Sequence, residues 1–421
     1  MTVTANTTPS ETPATAATRF RSITLIVAIL AFLSLGLPDG ALGVAWPSIR
    51  ASFGLSLSQL GTLLTASMLG YLFASALSGR IVSAVGVGHV LTLSTALMAA
   101  SAAGYALSPG WWAMVACAVG AGMGSGAIDA GLNAYAAHHF SPRATNWMHA
   151  TFGFGATTGP LLMTALIARG SSWRWGYAII AALMTALAVT FLATHRVWRD
   201  DAEGAADSGG SAADAAKAEP RAAAAQSMHP LRRPRVWVGI ALFFVYTGLE
   251  FSTGQWAYSV LTQSRGVRPT IAGTAVGLFW GSLTAGRIVL GGLTTWVSHT
   301  LILRCAVIGA PFAALCIASR GHYAINIAGL MLMGFTLAPI FPLMISVTPQ
   351  RVGTRDASHA VGYQIAAAAL GGAGLPALAG ILAKWHGLEM IGPYLVAVAM
   401  MFLALHEIVL RLAPNDGSRA A

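Results

Sequence analysis

The stretch SALSGRIV, Ser75 to Val82, returns as SLTAGRIV at Ser282 to Val289, an offset of 207 residues in a chain of 421. A second pair precedes it: GLPDGALGVAW at Gly36 to Trp46 and GLEFSTGQW at Gly248 to Trp256. Both members of that second pair contain an acid, a glycine four residues later and then a tryptophan. Because the two pairs keep the same order along the chain, they predict two related halves.

The composition predicts that both halves lie in a membrane. Hydrophobic residues make up 56% of the chain and charged residues only 9%, and the mean hydropathy is +0.67. A soluble domain has about 25% charged residues. The apolar residues form blocks of about 20, the length with which a helix crosses a bilayer, and open strands are excluded from lipid. We therefore predict an all-α membrane protein with twelve transmembrane helices in two pseudo-symmetric six-helix bundles, the spans being 22–48, 57–79, 89–108, 111–137, 147–169, 174–194, 236–262, 271–294, 300–319, 323–348, 358–383 and 391–411.

A polar segment divides these spans six and six. Its Ala, Gly, Asp and Ser repetition, in DDAEGAADSGGSAADAAKAEPRAAAAQ, is typical of a flexible linker. The predicted organisation is a cytoplasmic tail (1–21), an N-terminal bundle (22–194), a cytoplasmic linker (195–235), a C-terminal bundle (236–411) and a second cytoplasmic tail (412–421).

The net charge of +10 indicates an orientation rather than a nucleic-acid partner. The basic residues are spread over the loops, without a basic helix face. If both termini are cytoplasmic, 17 of the 24 Lys and Arg residues fall on the cytoplasmic side, in agreement with the positive-inside rule. We predict a multi-pass protein of the cell's inner (plasma) membrane, in contact with the lipid bilayer and not with nucleic acid.

Three acids lie deep inside apolar spans: Asp39, Asp129 and Glu250. A charged side chain at the centre of a membrane helix costs about 2.5–3.5 kcal/mol on insertion scales, so these acids point to protons, ions or polar solutes. Asp129 and Asn133 are four residues apart and share a helix face, where they could bind a polyol or only hold two helices together. Pro38 predicts an interruption of the first helix beside Asp39.

Six further residues are candidate lining residues, each with a simpler packing role as the alternative. Gln255 and Trp256 follow Glu250 by about one turn, and Trp280 lies in the next span. A tryptophan could stack on a sugar ring, but it is more often an interface or packing residue. His149 could relay protons or only make a hydrogen bond at a helix end. Tyr363 and Gln364 hold a comparable place in the eleventh span.

No catalytic, cofactor or metal chemistry is predicted. The glycines of VGAGMGSGAI, Val119 to Ile128, follow no strand, and no P-loop lysine occurs. The three cysteines have no pairing or metal-ligand spacing. We therefore expect a protein that is not an enzyme, has no cofactor and draws its energy from an ion gradient.

The arrangement resembles the major facilitator superfamily: six plus six spans, a long central loop and the GRIV segments after spans two and eight. The usual loop signature of that superfamily is degenerate here, with Ser83, Ala84 and Val87 at its charged positions. A narrower likeness is carried by GAIDAGLNAYAA (Gly126 to Ala137) and TNWMHATFGFGATTGPL (Thr145 to Leu161), which are similar to the fucose–proton symporter branch and its bacterial relatives. That resemblance implies that Asp39 and Asp129 are proton-coupling and sugar-binding acids.

These observations together predict a secondary active transporter that works by alternating access. Proton-coupled uptake of a sugar or similar small polar solute is the first expectation, with Asp39, Asp129 and Glu250 as coupling acids and Asn133, His149, Gln255, Trp256, Trp280, Tyr363 and Gln364 as substrate-binding residues. Sodium could replace the proton, and the protein is expected to be a monomer. The alternatives are proton-coupled efflux of amphipathic compounds and a transporter-like receptor without net flux.

Overall fold

The computed structural model describes residues 13–195, 197–198, 231, 234–293, 296–352 and 354–412, and regular structure in these residues is entirely helical. The helices are α1 (Pro13–Phe53), α2 (Gln59–Val85), α3 (Val87–Leu107), α4 (Trp111–His139), α5 (Pro142–Ala168), α6 (Trp173–Thr194), α7 (Pro234–Ser259, continued by a π-helical turn Val260–Ser264), α8 (Pro269–Leu293), α9 (His299–Ala318), α10a (Tyr323–Leu337), α10b (Ile340–Val352), α11 (Thr354–His386) and α12 (Ile391–Arg411). A short 3-10 turn, Leu388–Met390, precedes α12.

The predicted fold class is confirmed. Eleven of the described spans are long and apolar enough to cross a membrane, with α10a and α10b forming one of them. The remaining helix, α8, packs against α5 and α10a inside the same assembly. The predicted linker and tails lie for the most part outside the described residues, and the domain bounds drawn from the sequence stay predictions.

The two halves repeat one packing pattern. In the first half α1 packs on α5, α2 on α4 and α3 on α6. In the second half the helices six places later pair in the same way: α7 packs on α11, α8 on α10a and α9 on α12. Each half is therefore a bundle with the same connectivity, as the duplicated segments predict.

At one end of the bundle, α1 of the first half closely approaches α7 of the second. The end of the molecule at which α1 and α7 begin, and at which α6 and α12 finish, is called the linker end. The opposite end is called the far end. Towards the far end α1 crosses α7 so closely that a Cβ added at Gly43 would lie 2.7 Å from the Gly254 carbonyl oxygen. Here Arg50 Nη2 donates to Gln263 Oε1 at 3.3 Å, and Gln255 Nε2 donates to the Asp39 carbonyl at 3.1 Å. Within the described residues, two other atoms of these bridging side chains, Arg50 Nε and Gln255 Oε1, are buried without a hydrogen-bond partner.

Towards the linker end, α2 and α11 separate. A Cβ at Gly61 would lie 2.6 Å from Ala377 Cβ, and one at Gly380 would lie 3.2 Å from the Leu57 carbonyl oxygen. Gly79 and Gly362 lie 18 residues away from these two glycines towards the linker end, which is about five turns, so each faces the same direction as its counterpart. A Cβ at either would meet nothing within 4 Å. The junction between the halves is therefore closed at the far end and open at the linker end.

The helix break lies elsewhere than predicted. The interruption expected beside Asp39 is not observed, because α1 runs unbroken through Pro38 and Pro47. The break occurs instead in the tenth span, where α10a ends at Leu337 and α10b begins at Ile340. Pro339 lies in this gap, and its missing backbone N–H accounts for the lost helical hydrogen bond.

The splay of α2 from α11 predicts the effect of a bulky residue at Gly362. The change Gly362→Trp should obstruct closure of the linker end and so keep the far end shut. The measurement uses a background without Cys117, Cys305 and Cys316 and a membrane-impermeant thiol reagent added from the far side. This reagent should label Ala377→Cys several-fold more slowly when Gly362→Trp is present than when it is absent. Gly110→Trp, also in open space but outside the junction, is the control. Equal labelling rates in the two variants would contradict the open linker end.

Candidate functional site

The N-terminal half presents one acid with two neutral donors. Asp129 on α4 accepts a hydrogen bond from the Tyr71 hydroxyl on α2 at 2.6 Å and a second from Asn133 Nδ2 at 3.0 Å. The expected pairing of Asp129 with Asn133 is thus observed, and Tyr71 adds a link between helices. Neither partner carries a positive charge, so the carboxylate is held in place without being neutralised.

The C-terminal half presents an acid with a different set of partners. Glu250 on α7 is only 4% exposed and accepts a hydrogen bond from the Tyr246 hydroxyl one turn earlier. Arg287 on α8 interacts electrostatically with both Tyr246 and Glu250. Glu250 therefore has a cationic neighbour, whereas the hydrogen-bond donors to Asp129 among the described residues are neutral.

His149 lies between these two groups. Its ring packs edge-on against Phe32, with centroids 4.8 Å apart, and its side chain is exposed. The charges of Asp129 and Arg287 both act on this ring. His149 thus lies between the acid of the first half and the arginine of the second. We name these side chains together the central cluster: Tyr71, Asp129, Asn133, His149, Tyr246, Glu250 and Arg287.

Close packing of α5 against α8 sets the level of this cluster. Cβ atoms added at Gly273, Gly277 and Gly281 of α8 would have Thr164, Leu161 and Thr157 of α5, respectively, as their nearest neighbours. One turn further the roles reverse, and a Cβ at Gly153 would lie 2.1 Å from Thr284 Oγ1. Small residues let two membrane helices approach closely. Because α5 and α8 run antiparallel, His149 lies opposite Arg287 one turn beyond the pair Gly153 and Thr284.

Asp39 belongs to the first half and borders the cluster. Its side chain is half-buried, and its charge acts on Tyr71, Tyr105 and Tyr177. Through Tyr71 it neighbours Asp129. Its backbone carbonyl takes part in the far-end contact with Gln255, so Asp39 lies between the cluster and the closed end.

The other predicted lining residues of the second half serve packing in this conformation. Trp256 is fully buried and donates from Nε1 to the Pro376 carbonyl at 3.0 Å. Trp280 is also buried and packs on Gly254. Gln364 is buried and accepts from the Thr348 hydroxyl at 3.1 Å, and Tyr363 beside it is half-buried. A direct contact of these side chains with a solute stays a prediction.

Three members of the cluster escaped the sequence analysis. Tyr246 could have been found, because it lies one helical turn before Glu250. Tyr71 could not, because it reaches Asp129 from another helix. Arg287 lies within the predicted span 271–294, but its half-burial depends on how α8 packs, and from the sequence it is one more basic residue near the cytoplasmic side.

Comparison with known proteins agrees with this geometry. The family model of the Major Facilitator Superfamily matches residues 24–373. The chain belongs to this superfamily. It is 22% identical to Bypass of stop codon protein 6 of Saccharomyces cerevisiae, over 93% of this chain and 82% of that protein. It is 20% identical to Sodium-dependent glucose transporter 1 of Danio rerio, over 95% of this chain and 71% of that protein.

Solved structures of the superfamily share the fold. A bacterial homologue of the human lysosomal transporter Spinster, in an inward-facing and occupied conformation, superposes with a TM-score of 0.74 at 13% identity, covering 96% of this chain and 98% of that one. The D-xylose–proton symporter gives 0.66 at 15% identity, covering 91% and 97%. The superfamily's members are membrane transporters, and the narrower likeness to the fucose–proton symporter branch stays a prediction.

The cluster combines groups that suit a polar solute. It offers carboxylate and amide oxygens as acceptors and phenol, amide, imidazole and guanidinium groups as donors. Among the described residues no group of three or more His, Cys, Asp or Glu side chains could hold a metal ion. The arrangement can bind a hydroxyl-rich molecule and exchange protons through its acids.

The α5–α8 contact predicts a difference between two identical substitutions. Gly153→Ala would place a Cβ 2.1 Å from Thr284 Oγ1, whereas Gly281→Ala would place one 3.6 Å from Thr157 Cγ2, an ordinary contact. Overpacking costs about 1–3 kcal/mol, so Gly153→Ala should lower the melting temperature of the purified protein by several degrees. Gly281→Ala is the matched control and should melt within about a degree of the wild type. Similar melting temperatures for both variants would contradict the close packing at Gly153.

Proposed function

We propose that this protein takes up a sugar or a similar small polar solute by proton-coupled alternating access. The observation that carries the proposal is the central cluster. An acid from each half and the donors around it lie where the halves meet, in a molecule closed at one end and open at the other. Rocking of two such bundles about a site at their junction is the working principle of transporters with this kind of repeat.

The substrate class follows from the groups at the junction. A polyol needs acceptors and donors together, and Asp129, Asn133 and Tyr71 provide both within hydrogen-bonding distance of one another. Two of the compared proteins are, by their names, a glucose transporter and a xylose–proton symporter, which supports a sugar as the first class to test.

Proton coupling is assigned to Asp129 and Asp39. In the described part of the chain the hydrogen-bond donors to Asp129 are neutral, and Asp39 lies beside it among tyrosines. Protonation of a membrane-embedded acid removes a charge penalty of about 2.5–3.5 kcal/mol. Conformers of one protein often differ by only a few kcal/mol, so the protonation state of these acids can bias which end is open. Sodium in place of the proton is the alternative coupling ion.

The membrane and the orientation are part of the same proposal. The protein is a monomer of the inner (plasma) membrane with both termini cytoplasmic, as the distribution of Lys and Arg residues favours. The linker end then faces the cytoplasm, and the described conformation is open inward.

The proposal predicts separate effects on coupling and exchange. In proteoliposomes with an inward proton gradient, Asp129→Asn and Asp39→Asn should reduce the uptake of the transported sugar at least tenfold, because neither side chain can release a proton. Asp129→Asn keeps the size and acceptor of the side chain, so counterflow without a gradient should persist. The measurement is uptake of radiolabelled glucose, xylose and fucose, with and without a gradient.

Glu407→Gln provides a matched acid control, because Glu407 pairs with Arg304 at 3.6 Å, outside the cluster. Correctly inserted Asp129→Asn and Asp39→Asn proteins with unaltered gradient-driven uptake would reject the proposal. Proton release on addition of an amphipathic compound would point to efflux instead, and binding without counterflow would point to a receptor.

A further inference from the structure

We propose that Arg287, held by Glu250 and Tyr246, is the solute-binding residue of the second half, and that Glu250 is the fixed counter-charge that positions it. This inference rests on the proposed transport function. It gives Glu250 a role different from the proton coupling that the sequence suggested, and it leaves Asp129 and Asp39 as the coupling acids.

The surroundings of Glu250 are those of a structural counter-ion. Its side chain is almost fully buried and accepts a hydrogen bond from the Tyr246 hydroxyl. Arg287 interacts electrostatically with both side chains. Tyr246 is itself packed among aromatic residues, with its ring 6.2 Å from those of both Phe341 and Phe402. A hydroxyl donor and a neighbouring cation both favour the charged form of a carboxylate, and thus act against the effect of burial.

Arg287 differs from its counterpart in the first half. The duplicated GRIV segments place Arg80 and Arg287 at equivalent positions, but Arg80 is exposed and Arg287 is half-buried. An arginine that only orients the protein in the membrane would be exposed in both copies. Arg287 instead interacts with a buried acid, so its place in α8 serves the interior of the molecule.

The guanidinium group of Arg287 has more N–H donors than its partners in the second half use. Arginine has five N–H donors and no acceptor, and within the described part of the chain Arg287 Nε is buried without a hydrogen-bond partner. The same group acts on His149 across the junction. Because the guanidinium has an unpaired N–H and acts on His149 across the junction, Arg287 can donate hydrogen bonds to the hydroxyl oxygens of a solute lying between the halves.

Asp129 and Glu250 have different partners and therefore different roles. Asp129 has neutral donors and can gain a proton without leaving a cation unpaired. Protonation of Glu250 would remove the counter-charge of the half-buried Arg287, which is unfavourable. One acid therefore exchanges protons, and the other keeps the arginine in position.

A double-variant cycle tests the pairing without requiring a substrate. Glu250→Gln and Arg287→Gln should each lower the melting temperature of the full-length protein by at least five degrees, because each leaves its partner unpaired in the interior. The double variant Glu250→Gln/Arg287→Gln should recover at least half of that loss, since neither charge remains. Additive losses in the double variant would overturn the pairing.

Transport measurements on the same variants distinguish the roles of Asp129 and Glu250. The double variant should still take up one proton with each molecule of the sugar that the wild type carries, but with KM raised at least tenfold because the guanidinium donor is missing. Arg287→Lys keeps the charge and should retain the proton ratio with KM raised at least threefold. Sugar uptake without proton uptake in the double variant would show that Glu250 carries the proton and would overturn the inference.

The outcomes stay distinguishable if a variant does not fold or if the wild type carries none of the sugars. When Glu250→Gln or the double variant fails to fold, Arg287→Lys decides: an altered proton ratio or an unchanged KM contradicts the inference. A wild type without sugar-dependent proton uptake rejects the proposed function by itself, and the melting cycle still decides whether Glu250 and Arg287 are paired.

Discussion

The close approach of α5 to α8 is the contact on which the central cluster depends. Threonine and glycine alternate across this contact, so the two backbones come near enough for His149 of one half to lie opposite Arg287 of the other. Because lipid provides no hydrophobic drive for helix association, such contacts depend on the close packing of small side chains. A bulkier contact would separate the halves at the level where their polar groups have to meet.

The two halves have one connectivity but use their acids differently. Each bundle has an acid that accepts from a tyrosine, but these two acids are not counterparts in the duplication. Asp129 lies on α4 and accepts from a neighbouring helix, whereas Glu250 lies on α7, the counterpart of α1, and accepts from its own helix. The second difference is the cation: Arg287 is turned inward, and its counterpart Arg80 is exposed. Pseudo-symmetry thus fixes the architecture, and a few side chains create the asymmetry that directional transport needs.

The sequence predicts most of the architecture because lipid permits so few solutions. Blocks of about 20 apolar residues become helices, and the echo between Ser75–Val82 and Ser282–Val289 correctly indicates a duplicated bundle. The pairing of Asp129 with Asn133 also follows from spacing along one helix. Contacts between helices do not: Tyr71 and Arg287 reach the cluster through tertiary packing, and Pro38 stays inside an unbroken helix, an outcome that local propensity does not reveal.

The far-end contact has one further consequence. Arg50 and Gln255 bridge the halves there, yet Arg50 Nε and Gln255 Oε1 remain unpaired within the described residues. A buried polar atom without a partner costs about 1–3 kcal/mol, and water would relieve that cost as soon as the bundles part. The far-end contact is therefore easier to open than one whose polar atoms are all paired, a property that suits a membrane transporter.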